Sequence, residues 1–272
     1  MSKIYQAICL LLFVSFSVSA QENIKIWAGT DETHKQKWSE LHVFLPEKPD
    51  TSGISVIICP GGSYIWLAMN DEGAAVAKYL NKQGITAFVL RYRTALRGNH
   101  HPAMIQDLER SLQLVKMNSQ KYGINPDKVG VMGFSAGGHL AGTAAVYSPD
   151  SLKPYFAAMI YPVVSMEDSI CHKRSRSNLL GKNYSEELKH QMSLEENVHS
   201  DMPPIFLLHC TGDKTVNYHN SVVFDKALTD KNVKHKFLLL DESGHGGHGF
   251  GIHPNGKATG WIDEFLKWMR DL

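Results

Sequence analysis

The sequence predicts an α/β fold in which one mostly parallel β-sheet is covered by helices on both faces. Short apolar runs typical of buried strands alternate with longer segments of helical spacing, and this alternation is typical of a parallel sheet. No internal repeat or low-complexity linker interrupts the pattern after residue 20. Because 272 residues suffice for one sizeable hydrophobic core, we expect a single domain over residues 21–272.

The predicted strands are short runs of aliphatic and aromatic residues bounded by polar residues, glycine or proline. They lie at 41–45, 56–59, 86–90, 129–134, 157–161, 205–209 and 236–240. The predicted helices have apolar residues at intervals of three and four positions, or a run of small residues. They lie at 71–83, at 102–122, directly after Ser135, at 217–230 and at 257–270.

The stretch from about 162 to 200 does not continue this alternation. It is polar, and His172, Lys173, Arg174 and Arg176 lie close together in it. We interpret it as a lid-like insertion over one edge of the sheet. The basic cluster is more typical of a solvated loop surface than of a substrate contact, which is the alternative.

Residues 1–20 predict a secretory signal peptide. Lys3 supplies a short positive region, the segment 8–16 is almost wholly apolar, and Val18-Ser19-Ala20 places small residues before Gln21. The alternative is an uncleaved anchor, but the apolar run is shorter than the roughly 20 residues that a membrane-spanning helix needs. We therefore expect cleavage, no membrane association afterwards, and a periplasmic or secreted location.

The charge balance and the cysteines exclude several classes of partner and cofactor. The chain has 28 Lys and Arg against 27 Asp and Glu, and loss of Lys3 leaves 27 of each. With no basic stripe, we expect neither nucleic acid nor anionic membrane as a partner. Cys59, Cys171 and Cys210 form no disulfide framework, although one pair remains open, and no Cys/His spacing predicts a metal site. We expect no cofactor.

Residues 133–137 read Gly-Phe-Ser-Ala-Gly and match the pattern G-x-S-x-G. The five residues alone are a weak signal. Here, however, Ser135 stands between a predicted strand and a predicted helix of small residues. A sharp turn at that point strains the backbone, requires glycine neighbours and raises the hydroxyl above the sheet. We predict that Ser135 is a nucleophile; the alternative is a helix N-cap.

A serine hydroxyl needs a base to take its proton and a carboxylate to orient that base. In this architecture the carboxylate and then the histidine follow the serine along the chain. Asp213 lies just after the strand 205–209, although it is also a candidate turn former. The glycine-rich stretch ESGHGGHGFG at 242–251 follows the last strand and contains His245 and His248. Spacing alone does not choose between these two histidines.

Backbone N–H groups near the serine are expected to stabilise an oxyanion. One is the N–H of Ala136, directly after Ser135. The other belongs to Gly62 or Ser63, in the Pro-Gly-Gly-Ser loop that follows the strand 56–59. Glycine lets the backbone approach a substrate closely and present its N–H groups.

Taken together, these segments resemble the α/β-hydrolase fold of secreted carbohydrate esterases, and they are similar to bacterial acetyl-xylan esterases and to the lipase/esterase group with an HGGG loop. The matching segments cover nearly all of the chain after residue 20, in order: ICPGGSY (58–64), FVLRYR (88–93), HPAMIQDLERS (101–111), VGVMGFSAGGHLAG (129–142), YPVVSM (161–166) and GGHGFG (246–251).

The resemblance selects His248 as the base, because the pattern ends in a histidine followed by glycine and an aromatic residue. His248-Gly249-Phe250 fits that pattern, whereas His245 is followed by two glycines. The chain departs from its relatives at Pro60, where many have histidine, and at Ser63, where they often have glycine. The identity of the oxyanion donors therefore stays open.

The resemblance implies a serine esterase that removes acetyl groups from plant polysaccharide or oligosaccharide. Tyr64, Trp66 and Tyr218 follow strands at the same edge and are candidates for stacking on sugar rings, although such aromatics more often pack against loops. A feruloyl esterase and a serine peptidase of the prolyl-oligopeptidase type are alternatives, but such peptidases usually carry a large gating domain. A non-catalytic carbohydrate-binding relative is disfavoured, because no member of the triad is missing.

Overall fold

The computed structural model describes residues 22–31, 38–241, 248–249, 251 and 260–272. In this part of the chain eight strands form one sheet with the order β1-β2-β4-β3-β5-β6-β7-β8. The pairs from β4 to β8 are parallel, while β1, β2 and β4 pair antiparallel. The strands are β1 (Asn23–Lys25), β2 (Glu40–Phe44), β3 (Ser55–Cys59), β4 (Thr86–Arg91), β5 (Val129–Phe134), β6 (Ala157–Ile160), β7 (Ile205–Cys210) and β8 (His235–Leu240).

The helices lie on both faces of this sheet, as the sequence predicts. Alternate residues of β3 show this, because Ile57 belongs to one hydrophobic core while Val56 and Ile58 belong to the other. Helices α2, α4 and α7 pack on the first face, and α1 and α8 on the second. The helices are α1 (Ala75–Lys82), α2 (Ala103–Met117), α3 (Ser119–Tyr122), α4 (Ala136–Tyr147), α5 (Lys173–Leu180), α6 (Glu186–Gln191), α7 (His219–Asp230) and α8 (Trp261–Arg270).

The predicted long helix at 102–122 is two helices. It breaks at Asn118, whose side-chain amide donates a 2.8 Å hydrogen bond to the Leu114 carbonyl. Asparagine side chains compete with the backbone for such carbonyls and favour helix ends. α1 likewise begins later than predicted, because a π-helical turn over Met69–Ala74 precedes it. The sequence pattern also missed β1, since three largely exposed residues are too short a run to establish an alternation.

The segment from about 162 to 200 contains α5, α6 and a short 3₁₀ turn at Leu194–Glu196. It lies between β6 and β7 along the chain and reaches the loop that follows β3, where Asn178 donates a 2.8 Å hydrogen bond to the Ser63 carbonyl. The segment is therefore helical, and it is packed next to the carboxyl ends of the strands.

The predicted signal peptide at 1–20 lies outside the described residues. Among the residues that are described, no helix combines the length and the apolar character needed to cross a bilayer. Cys59, Cys171 and Cys210 are all free thiols, so the pairing that the sequence left open is absent from this structure.

Candidate active site

Ser135 lies at the turn between β5 and α4 with φ 54° and ψ −119°. A non-glycine residue adopts such a positive φ only where the surrounding structure enforces it. Here the Ser135 N–H donates to the Ile160 carbonyl at 2.9 Å and its carbonyl accepts from the Val163 N–H at 3.1 Å. The Ser135 side chain makes no capping hydrogen bond to α4, so the hydroxyl is free for another role.

The two glycines of the G-x-S-x-G motif are required by the close packing of this turn. A Cβ on Gly137 would lie 2.0 Å from the Cys59 carbonyl oxygen, and one on Gly133 would lie 1.9 Å from the Gly137 carbonyl oxygen. These distances are well inside van der Waals contact, and the obstructing atoms belong to the backbone. α4 can therefore begin directly behind the serine only because both positions lack a side chain.

Ser135, His248 and Asp213 form one chain of hydrogen bonds. His248 Nε2 lies 2.9 Å from Ser135 Oγ, and His248 Nδ1 lies 2.7 Å from Asp213 Oδ2. The imidazole also packs on Tyr161, with the ring centroids 4.7 Å apart. His245, the alternative base, lies outside the described residues. The structure thus brings together three groups separated by up to 113 positions in the sequence.

Asp213 serves both as a turn former and as the partner of the histidine. Its Oδ1 accepts hydrogen bonds from the Thr215 and Val216 N–H groups at 2.8 and 2.9 Å, which leaves Oδ2 for His248. Burial raises the pKa of this carboxyl, but hydrogen bonds from His209, His248 and Val216 outweigh burial and lower the pKa to about 2. Asp213 is therefore ionised at neutral pH and orients His248 with Nδ1 protonated.

His209 is a further partner of Asp213, although the sequence pattern predicts only that it lies in a strand. It is fully buried on β7, and its Nε2 lies 3.2 Å from Asp213 Oδ2 and 3.2 Å from the Val216 carbonyl oxygen. Both of these are acceptors, so Nε2 carries a proton. Nδ1 then accepts from the Ser221 hydroxyl at 2.7 Å. The sequence feature that could have indicated this role is the position of His209, at the end of a predicted strand and four residues before Asp213.

The loop after β3 has the backbone geometry that an oxyanion site requires. Gly62, Ser63 and Tyr64 have positive φ values of 134°, 55° and 60°. A Cβ on Gly62 would lie 2.1 Å from the Trp66 carbonyl oxygen, so glycine is required there. Within the described residues, the N–H groups of Gly62, Ser63 and Ala136 donate to no other backbone or side-chain group.

The expectation that Tyr64 contacts a sugar is corrected by the structure. Tyr64 is fully buried, and its hydroxyl lies 2.8 Å from Nδ1 of His139, whose Nε2 lies 2.8 Å from the Met192 carbonyl oxygen. Burial lowers the pKa of His139 to about 4, which keeps the imidazole neutral at physiological pH. The positive φ at Tyr64 turns its ring inward, where it anchors the loop after β3 to α4.

Glu72 is a buried carboxylate beside this loop, and no pattern in the sequence marks it as a site residue. Its Oε2 accepts from the Gly61 N–H at 2.7 Å and its Oε1 from the Tyr161 hydroxyl at 2.8 Å. The Gly251 N–H donates to the same hydroxyl at 3.3 Å. Burial raises the pKa of Glu72, while the hydrogen bonds from Tyr161 and Gly61 oppose the rise. Glu72 therefore connects the loop after β3 to the ring that supports His248.

A cavity of about 320 Å³ opens over Ser135. Trp66, a predicted candidate for sugar stacking, lines it, and so do His172 and Arg174 of the basic cluster. His172 is half-buried and Arg174 is exposed, so their position fits both the predicted solvated surface and the alternative of a substrate contact. Tyr218 does not line this cavity. It lines a neighbouring one together with Asp213, and its contact with a sugar stays a prediction. Gly62, Ser63 and His248 also line the cavity over Ser135.

One group of side chains among the described residues has the spacing of metal ligands. Ligand atoms of Glu167, His190 and Glu196 lie within 4.8 Å of one another. Lys189 Nζ, however, already lies 3.4 Å from Glu167 Oε1, and His190 Nδ1 lies 2.9 Å from Glu196 Oε2. None of the three residues lines the Ser135 cavity, so the group is separate from the triad.

The known proteins to which the chain is similar include an esterase and a xylanase named for xylan. The chain is 34% identical over 270 residues to an acetylxylan esterase of Xylanibacter ruminicola, covering 96% of this chain and 54% of that protein. It is 30% identical over 252 residues to endo-1,4-beta-xylanase B of Butyrivibrio fibrisolvens, covering 87% of this chain and 39% of that protein. The chain thus spans about half or less of the length of these two relatives.

One similar solved structure is matched over nearly its whole length. The acetyl ester-xyloside bifunctional hydrolase from Caldicellulosiruptor lactoaceticus is 30% identical, with a TM-score of 0.79 over 92% of this chain and 94% of that one. The family model BD-FAE matches residues 41–228, which include the serine turn, the loop after β3 and the acid. The chain therefore belongs to the BD-FAE family, within the α/β-hydrolase esterases.

Proposed function

We propose that the chain is a serine esterase that hydrolyses acetyl esters on xylan-type carbohydrate through an acyl-enzyme. The observation that carries this proposal is the 2.9 Å contact between His248 Nε2 and Ser135 Oγ, with His248 Nδ1 held by the ionised Asp213. A serine hydroxyl becomes an effective nucleophile when an oriented imidazole takes its proton.

In the first half of the reaction Ser135 Oγ attacks the ester carbonyl carbon while His248 Nε2 takes the hydroxyl proton. Asp213 stabilises the imidazolium that forms. The tetrahedral intermediate then collapses, the bond from the carbonyl carbon to the alkoxy oxygen breaks, and His248 returns the proton to the departing sugar alcohol. Ser135 is left acylated.

In the second half a water molecule replaces the alcohol. His248 takes a proton from the water as its oxygen attacks the acyl carbon, and the bond to Ser135 Oγ then breaks. The proton passes to the serine, the carboxylic acid leaves, and the enzyme returns to its starting state. No metal or redox cofactor enters either step of this proposed reaction.

The oxyanion of both tetrahedral intermediates is assigned to the N–H of Ala136 and to that of Gly62 or Ser63. The free N–H groups of these residues and the position of Gly62 and Ser63 in the Ser135 cavity support this assignment. Loss of one oxyanion donor typically raises a barrier by about 3 kcal/mol. The 34% identity to an acetylxylan esterase supports the acetyl group and the xylan-type carbohydrate.

The proposed location is the periplasm or the exterior, after removal of residues 1–20. This proposal rests on the apolar segment followed by Val18-Ser19-Ala20. Mass spectrometry of the protein purified from a culture tests it, and we expect the chain to begin at Gln21. A chain that still begins at residue 1 after export would contradict the proposal.

Hydrolysis of 4-nitrophenyl acetate tests the chemistry. We expect Ser135→Ala to reduce the rate at least about 10³-fold, because loss of a triad nucleophile leaves only oxyanion stabilisation and binding. Equal rates for wild type and variant would leave a binding protein and refute the esterase. His248→Ala is expected to be as damaging, and His245→Ala much less so; full activity of His248→Ala would refute its role.

Acetate release from acetylated xylo-oligosaccharides, measured beside feruloylated xylo-oligosaccharides and a peptide ester, tests the substrate. We expect acetate release to have the highest kcat/KM. Faster release of ferulate would make the protein a feruloyl esterase, and faster cleavage of the peptide ester would indicate a peptidase. Either result would overturn the acetyl assignment while keeping the serine mechanism.

A further inference from the structure

A second cavity, of about 460 Å³, adjoins the one over Ser135, and Trp66 lines both. Its walls come from the loop after β3, the end of β4 with the loop that follows it, and Trp38 just before β2. Because β2 runs antiparallel to β4, with Glu40 opposite Arg91, the start of β2 lies at the carboxyl end of β4. The second cavity thus opens at the same edge of the sheet as Ser135.

The wall of this cavity has an unusual concentration of exposed apolar side chains. Six large apolar side chains among the described residues are exposed, and three of them line this cavity: Trp38, Trp66 and Leu96, exposed by 44%, 54% and 71%. Exposed apolar groups that cluster beside polar ones are typical of binding sites. A volume of about 460 Å³ is also in the range of small-molecule sites, roughly 300–1,000 Å³.

The same wall is positively charged. Arg91, Arg93 and Arg97 line it, and its described residues include no aspartate or glutamate. The Arg93 charge is compensated, because its Nε lies 3.0 Å from the buried Asp107 carboxylate. The Arg91 charge is also partly compensated, because its Nη1 lies 3.6 Å from Glu40 Oε2, within ion-pair distance.

Arg97 forms no ion pair within the described part of the chain, and its side chain is exposed. Its Cζ instead lies 3.9 Å from the centroid of the Trp38 ring, and Arg91 Cζ lies 5.4 Å from the same ring. Stacking uses the face of a guanidinium and leaves the N–H groups at its edge available. The contact with Trp38 therefore positions the Arg97 guanidinium and leaves the N–H donors at its edge available.

We propose that this cavity is a subsite for a carboxylate-bearing sugar, a uronic acid residue of the glycan chain that carries the ester. The Arg97 edge matches the two oxygens of a carboxylate in a bidentate pair. Trp66 offers an exposed aromatic face for the sugar ring between this subsite and Ser135. The inference rests on the proposed esterase function, because the sugar ring lies beside the ester only if Ser135 acts on it.

Binding of ligands that carry no ester tests the subsite without any turnover. A xylo-oligosaccharide bearing one glucuronic acid is compared by calorimetry with the unsubstituted oligosaccharide of the same length. We expect the acidic ligand to bind about tenfold more tightly, as one charged hydrogen-bonded pair permits. The preference should disappear at about 1 M salt, where the screening length is near 3 Å.

Arg97→Gln should abolish the preference for the acidic ligand. Arg97→Lys should retain part of it, because lysine keeps the positive charge but lacks the paired N–H donors of a guanidinium. Arg270→Gln, at the exposed end of α8, is the matched control and should bind both ligands like the wild type. Equal affinity of the wild type for both ligands would overturn the proposal. A preference for the acidic ligand that survives in Arg97→Gln would also overturn it. Equal loss of affinity for both ligands in Arg97→Gln would overturn it too, because that result would indicate a site for neutral sugar.

Hydrolysis of 4-nitrophenyl acetate by the same preparations keeps the two proposals separate. Absence of hydrolysis together with selective binding would refute the esterase and leave an acidic-glycan binding site. Hydrolysis without selective binding would refute the subsite and leave the esterase. With both present, kcat/KM for acetylated acidic oligosaccharides should exceed that for neutral ones by about tenfold in the wild type, and the ratio should fall towards one in Arg97→Gln.

Discussion

His209 Nε2 lies 3.2 Å from Oδ2 of Asp213, the same oxygen that accepts the hydrogen bond from His248. The proposed base is thus oriented by a carboxylate that is itself held by a second, fully buried histidine. The Ser221 hydroxyl fixes the other nitrogen of that histidine at 2.7 Å. The chain of hydrogen bonds through Ser135, His248 and Asp213 therefore continues to two further residues, His209 and Ser221.

Replacement of His209 by Leu is expected to lower kcat by about tenfold and to change KM little. The variant removes one hydrogen bond to a charged group, worth roughly 1.5–3 kcal/mol, from a residue that contacts Asp213 rather than substrate. Steady-state kinetics on 4-nitrophenyl acetate measure the two constants separately. Ser221→Ala, which keeps the contact between His209 and Asp213, is the milder control. An unchanged kcat in His209→Leu would contradict this positioning role.

The low pKa of Asp213 predicts how stability depends on pH. Its folded value of about 2 lies below its ordinary value of 3.8, so the unfolded chain binds the proton more readily. The difference stabilises the fold by about 2 kcal/mol above pH 4, and this contribution is lost as the pH falls from about 4 to 2.

Urea unfolding of wild type and Asp213→Asn between about pH 5 and pH 2 measures this loss, because the variant lacks the titrating group. The difference in unfolding free energy between the two proteins should shrink by about 2 kcal/mol over that range. A constant difference would show that the carboxyl is not stabilised in its ionised form.

Glu72 and Tyr161 are expected to act as one unit. Glu72→Gln loses an acceptor for either the Gly61 N–H or the Tyr161 hydroxyl, and Tyr161→Phe removes the hydroxyl while keeping the ring against His248. Each change should lower kcat several-fold, since each loosens a hydrogen bond between the loop after β3 and the Tyr161 ring that packs on His248. The double variant should be only slightly worse than either single one, with a coupling energy of about 1 kcal/mol. Strictly additive effects in a double-mutant cycle would contradict the link.

Gly137→Ala is expected to prevent folding or to destabilise the protein by more than about 3 kcal/mol. The added Cβ meets the Cys59 carbonyl oxygen at 2.0 Å, and backbone atoms on a central strand have no room to move. Gly98→Ala is the control, because a Cβ there has no neighbour within 4 Å and only the positive φ of 73° is penalised, by about 1–2 kcal/mol. Thermal melts of both variants test the contrast, and similar melting temperatures would refute it.

The sequence by itself determined the alternation of strands and helices, the strand-to-helix turn at Ser135 and the order in which acid and histidine follow it. These features are local, since apolar periodicity and the glycine requirement of one tight turn act over a few neighbouring residues. Family resemblance added the choice of His248 over His245. The predicted parallel sheet with two covered faces is confirmed by the structure.

Only the tertiary structure decided which side chains meet across the ends of the strands. Tyr64 and Trp66 lie two positions apart, yet one is fully buried against His139 and the other is 54% exposed between two cavities. His209 and Glu72 look like ordinary strand and helix residues until packing places them against Asp213 and Gly61. Such contacts join positions far apart in sequence, so they depend on the register of the sheet and on the path of its loops, which no local pattern encodes.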